Sequence, residues 1–91
     1  MLKIRYHSKF KKEYKQALQH PGNKAEQLQT VLEYLVQEKT LPRKYHDHAL
    51  TGKYTGFREC HIRPNWLLIY KIEPEIVTLV LSRTGSHSEL F

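Results

Sequence analysis

Between Phe57 and Leu81 three β-prone runs, Phe57 to Ile62, Trp66 to Ile72 and Ile76 to Leu81, are separated only by the turns "RPN" and "EPE". Connections that short leave no room for a crossover, so the three runs are expected to be antiparallel neighbours in one sheet. Upstream, Leu2, Ile4 and Tyr6 alternate with Lys3 and Arg5, the period of a half-buried strand. Ser8 is placed to cap a helix in which Phe10, Tyr14, Ala17 and Leu18 recur at helical spacing until "HPGN" breaks it. A second helix is expected from about Lys24 to Glu38, with Ala25, Leu28, Val31, Leu32 and Leu35 as its apolar stripe. Residues 39 to 56 show neither period and read as a long ordered loop, a length usually kept for function when it is ordered. The expectation is a single α+β domain over residues 1–91, an antiparallel sheet of about four strands packed against two N-terminal helices.

A chain of 91 residues has room for one modest core and not for a second lobe or a dinucleotide-binding fold. Lys and Arg number 15 against 9 Asp and Glu, a formal charge of +6, which points to a polyanion or an acidic protein as partner. A single cysteine, Cys60, excludes an internal disulfide and a Cys-based zinc site, and it fits a reducing compartment. The first residues lack a signal-peptide pattern, and no apolar run approaches the ~20 residues of a membrane span. The chain is therefore expected to be soluble and cytoplasmic, with no membrane partner.

Six histidines carry the chemical interest, and four fall in suggestive places: His46 and His48 in the loop, His61 on the strand "FRECHI", and His87 in the tail. Alternation puts Cys60 and Ile62 on the core face of that strand and His61 on the opposite face. Imidazole has an unperturbed pKa of ~6.5, so one ring can take a proton while another gives one at neutral pH. Metal-free RNA cleavage asks for that: a base for the ribose 2′-OH, an acid for the leaving 5′-oxygen, and a cation beside the phosphorane. Surface and capping roles are the plain alternative for each histidine taken singly. "HDH" also admits a zinc reading, although no HExxH helix or carboxylate-rich spacing accompanies it. The lysines of the first helix, Lys11, Lys12 and Lys15 among them, form either a solvated face or a stripe for phosphates, and Lys53 in the loop is a further candidate cation. Trp66 and Phe91 are either core pieces or planes on which unpaired bases stack.

The segments "YHDHALTGKYTGFRECHIRPNWLLIYKI" and "RTGSHSELF" resemble the YafQ branch of the RelE superfamily, the ribosome-dependent mRNA endonuclease toxins of bacterial type II toxin-antitoxin pairs. The likeness covers the whole chain in length and element order and is specific over about residues 45 to 91. It implies a sheet whose open face receives mRNA in the ribosomal A site, cleavage by 2′-OH attack without metal or other cofactor, and inhibition by a cognate antitoxin whose acidic segment covers the basic site. A toxin-antitoxin hetero-oligomer that binds operator DNA through the antitoxin is also implied. Carried over by position, the catalytic set is His48, His61, Arg83 and His87, with Arg83 as phosphate clamp. Asn65, Trp66 and Phe91 join the lysines as substrate-binding residues, with Phe91 as a base-positioning plane. Where the family commonly has aspartate before the tryptophan, this chain has Asn65, which cannot accept a proton. A non-catalytic RNA or ribosome binder is the competing reading; several titrating groups in one set favour the enzyme.

Overall fold

A computed structural model describes residues 1–91. Its elements run β1 (Lys3–Tyr6), α1 (Ser8–Ala17), α2 (Ala25–Val36), β2 (His48–Ala49), β3 (Arg58–Arg63), β4 (Trp66–Glu73), β5 (Thr78–Gly85) and α3 (His87–Leu90). The sheet has five strands in the order β1-β5-β4-β3-β2. The meander is antiparallel as expected, but β1 pairs parallel with β5, so the sheet is mixed rather than a purely antiparallel one of four strands. Helix connectivity explains the parallel pair. After Tyr6 the chain turns into α1, α2 brings it back, and the Leu2 N–H donates to the Val36 carbonyl at 2.8 Å, fixing the start of β1 beside the end of α2. The fifth strand is the two-residue β2, which pairs with β3 inside the segment expected to be loop. His7, not Ser8, caps α1: its Nδ1 accepts from the Lys9 N–H at 3.2 Å.

One face of the sheet packs on the helices. Cys60 and Ile62 of β3, Trp66, Leu68 and Tyr70 of β4, and Leu79 and Leu81 of β5 meet Phe10, Leu28, Val31, Leu32 and Leu35. Each fully buried aliphatic or aromatic side chain contributes roughly 1.5–3 kcal/mol, and this cluster supplies most of the hydrophobic stabilisation. The other face is only partly open. Leu67 and Ile69 are roofed by Leu90, with Leu50, Tyr54 and Phe57 packed beside them.

Two bulges decide which side chains reach which face. Tyr70 pairs with Leu81 and Ile69 with Arg83, so Ser82 is an extra residue in β5. Without it Arg83 would follow Leu79 and Leu81 towards the helices; the bulge turns it to the far face and sends Thr84 to the core. A second bulge at Ile62, between His61 and Arg63, turns Arg63 towards the helices, where Nη1 donates to Asn23 Oδ1 at 2.8 Å. β5 thus extends to Gly85, and Arg83 belongs to the strand rather than to a tail beyond it.

Candidate active site

Directly paired residues of neighbouring strands share a face. His48, Glu59, Ile69 and Arg83 are successive partners across β2, β3, β4 and β5, and His61, Leu67 and Gly85 form the next row. With strands ~4.8 Å apart, Arg83 lies about 10 Å from Glu59 and about 14 Å from His48 along its row. His87 follows Gly85 by two residues. Segments separated by up to 39 positions in sequence therefore contribute to one side of the sheet.

The first cluster is centred on Glu59. Its carboxylate is almost fully buried, with Oε1 3.4 Å from His48 Nε2 and 3.8 Å from His61 Nε2. The other oxygen, Oε2, is buried without a hydrogen-bond partner. A carbonyl can only accept, so the 2.7 Å contact between His48 Nδ1 and the His46 carbonyl puts a proton on Nδ1 and leaves Nε2 as the atom facing Glu59. The segment is pinned from beneath by Asp47, which accepts from Tyr70 Oη at 2.6 Å and from Arg58 Nη2 at 3.1 Å. Burial, with the bond to Asp47 added, pushes the Tyr70 phenol well above its ordinary range and keeps it a donor. His46 adopts a left-handed backbone, φ 50°, and its ring meets His61 edge-on at 5.5 Å.

The second cluster surrounds Arg83. Its Nε donates to Glu13 Oε1 and Oε2 at 3.1 and 3.2 Å, Nη2 donates to Glu13 Oε2, and Nη1 donates to Tyr54 Oη at 3.0 Å. Hydrogen bonding to Glu13 holds the guanidinium pKa further above its already high value, so Arg83 is a permanent cation. Tyr54 also meets the Phe91 ring edge-on at 5.8 Å, and Phe91 lies 5.1 Å from the His87 ring. Phe91 is half exposed. α3 is only one turn long and is held by a reciprocal cap: the Ser86 hydroxyl accepts from Glu89 N–H while Glu89 Oε1 accepts from Ser86 N–H at 2.7 Å. Those hydrogen bonds hold the Glu89 carboxyl below the usual carboxylate range. The cap is therefore fully formed above that range and is lost only as pH falls through the lowered value.

Two clefts lie at the β3–β4 turn end of the sheet and share Arg63 and Pro64 in their walls. One contains Lys44, His46, His48 and His61; the other contains His20, Asn65, Ser86 and His87. The structure thus joins His48 with His61, links Arg83 to Phe91 and His87 through Tyr54, and puts Asn65 in the same cleft as His87. Trp66 corrects the expectation that it stacks on a base. It is 1% exposed, stacks on Tyr14, and donates from Nε1 to Thr84 Oγ1 at 2.8 Å. A side chain so enclosed has no ring face left for a nucleotide. Lys11, Lys12 and Lys15 are exposed on α1 and line neither cleft, and Lys53 lies exposed with Nζ 5.5 Å from the Tyr54 ring centre. Sequence reasoning did not select Glu59, Glu13, Tyr54 or Asp47. Strand alternation already put Glu59 on the face of His61, and Glu13 is the lone acid among six cations in the first fifteen residues.

Residues 2–91 match the family described as the bacterial toxin of type II toxin-antitoxin system, YafQ. The mRNA interferase toxin YafQ of Escherichia coli K12 is 37% identical over 90 residues, 97% of this chain and 94% of that protein. A metal-bound toxin from Helicobacter pylori superposes with a TM-score of 0.92 at 44% identity over the full length of both chains. An E. coli DinJ-YafQ complex contains a chain that superposes with a TM-score of 0.87 at 33% identity, covering 100% of this chain and 99% of that one.

Proposed function

Because this chain belongs to the YafQ family of type II toxins, we propose that it is a ribosome-dependent endoribonuclease that cuts mRNA in the ribosomal A site by metal-free attack of the ribose 2′-oxygen. The observation that carries the reading is the shared face of His48, His61 and Arg83, with His87 just beyond Gly85. In the reaction the 2′-oxygen loses its proton to a histidine and bonds to phosphorus. The bond to the 5′-oxygen breaks, and a second histidine protonates that leaving oxygen. Arg83, charged at every working pH, opposes the charge on the phosphorane. Phe91, half exposed beside His87, supplies an apolar plane for a flanking base. The partner in the resting cell is a cognate antitoxin, the role that DinJ holds in the E. coli complex.

A metal-dependent reading has two observations in its favour, the metal-bound toxin of H. pylori and a copper-bound mutant toxin from the same organism. In this chain His48, Glu59 and His61 converge, yet no group of three His, Cys, Asp or Glu side chains meets metal-site geometry. The purified protein, stripped of bound metal with EDTA and returned to magnesium buffer with a transition-metal-selective chelator, is expected to cut mRNA on programmed ribosomes, leaving a 2′,3′-cyclic or 3′-phosphate end. Abolition by the chelator with recovery on adding zinc would establish the metal reading instead. The lysines of α1 are tested separately. Changing Lys11, Lys12 and Lys15 together to Glu is expected to weaken RNA or ribosome association and flatten its salt dependence, by about 0.7 to 0.9 of a log unit of slope per lost phosphate contact. An unchanged slope would make them a solvated helix face only.

A further inference from the structure

We propose that Glu13 is a positioning residue for the reaction: from α1 it grips the side edge of the Arg83 guanidinium and turns the end-on Nη1/Nη2 edge towards the substrate. This rests on Arg83 as the phosphate clamp of the proposed ribonuclease. A guanidinium has two edges suited to forked contacts, and Glu13 fills the one formed by Nε and Nη2. Tyr54 takes one Nη1 hydrogen. Nη1 and Nη2 each keep one hydrogen without a partner in the protein, and the one on Nη2 points away from Glu13.

The carboxylate is built in rather than parked. Beyond Leu81, β5 has no partner on its β1 side, because β1 ends at Tyr6 and the chain leaves into α1. Glu13 Oε1 accepts the Thr84 N–H at 3.3 Å along that bare edge, and the side chains of Glu13 and Arg83 are only 15% and 16% exposed. An exposed pair would compete with water and salt; this one is sheltered, fixed to backbone at one end and to a tyrosine at the other. A phosphate that arrived by evicting Glu13 would strand a sheltered carboxylate and a strand N–H. Binding at the end-on edge leaves both satisfied. Although the bulge turns Arg83 to the far face, Glu13 reaches it past the bare edge of β5, so the support comes from α1 while the clamp faces the site.

The test is a double-mutant cycle in single-turnover cleavage on programmed ribosomes, with ¹⁵N detection of the Arg83 Nε–H. Glu13→Gln, which keeps the shape and loses the charge, is expected to slow cleavage about tenfold, and Glu13→Ala more, since misplacing a catalytic group by about 1 Å can cost a hundredfold. In an Arg83→Ala background, Glu13→Gln is expected to cost nothing further. Losses that multiply across the cycle would show that Glu13 acts independently of Arg83 and overturn the proposal. The resonance reads the geometry without turnover. Slow solvent exchange of the Arg83 Nε–H in the wild type and fast exchange in Glu13→Ala is the expected result, and equal exchange would overturn it. Retained slow exchange in a wild-type protein that cuts no RNA would sink the ribonuclease reading, and the positioning role with it.

Discussion

His87→Ala is expected to lower the single-turnover rate of mRNA cleavage by about 10² to 10⁴, the usual contribution of a positioned acid or base. The melting temperature should be almost unchanged, because His87 is exposed and its ring packs on the likewise exposed Phe91. This separates chemistry from folding. Asn65→Asp is the informative companion, since Asn65 lines the same cleft and its side chain makes no hydrogen bond within the protein. It should remain within about tenfold of wild type, a change in activation free energy of ~1.4 kcal/mol or less. Equal losses for the two variants would show that the Asn65 amide is itself required, and the division of labour between the residues would have to be redrawn.

Trp66→Ala is expected to cost roughly 3–5 kcal/mol of stability, the range for truncating a buried aromatic ring. Against a total of about 5–15 kcal/mol for a domain, that leaves little margin. The ring fills the space beneath Tyr14, and its loss also removes the Nε1 bond to Thr84. Trp66→Phe retains most of the volume and loses the donor, so about 1–2 kcal/mol is expected. Chemical denaturation of the three proteins measures both steps. The folded Phe variant should bind and cut RNA much as wild type does. A hundredfold loss of substrate affinity in a Phe variant of near-native stability would show that the indole meets the RNA after all.

The elements themselves were legible because their periods are local. The Leu28, Val31, Leu32 and Leu35 stripe and the turns at "RPN" and "EPE" need no tertiary knowledge. Pairing was legible only where connections are short; the parallel partnership of β1 with β5 joins residues some 75 positions apart and leaves no local trace. Polar "SRTG" reads as the end of a strand, yet it continues β5, since Thr84 finds the Trp66 indole and Arg83 finds Glu13. For the same reason the tryptophan was ambiguous. Its burial depends on a helix some fifty residues upstream, whose Tyr14 stacks on it. Glu59 was placed on the right face by alternation, but what makes it notable, a buried carboxylate between two imidazoles, exists only after β2 has paired with β3.

The order of strands bears on when the molecule becomes dangerous to its maker. β5 is the last strand to be synthesised, yet it lies inside the sheet, between β1 and β4. Chains emerge and fold from the N-terminus as they are made. Here the first-made strand has no partner until β5 appears, and helices α1 and α2 have only part of the surface they pack on. Arg83, His87 and the Glu13 contact all wait for the same event. Until β5 emerges, a nascent chain carries neither the joined sheet nor an assembled site. The late emergence of β5 is thus a built-in delay, and it gives any co-produced inhibitor the chance to be waiting when folding completes.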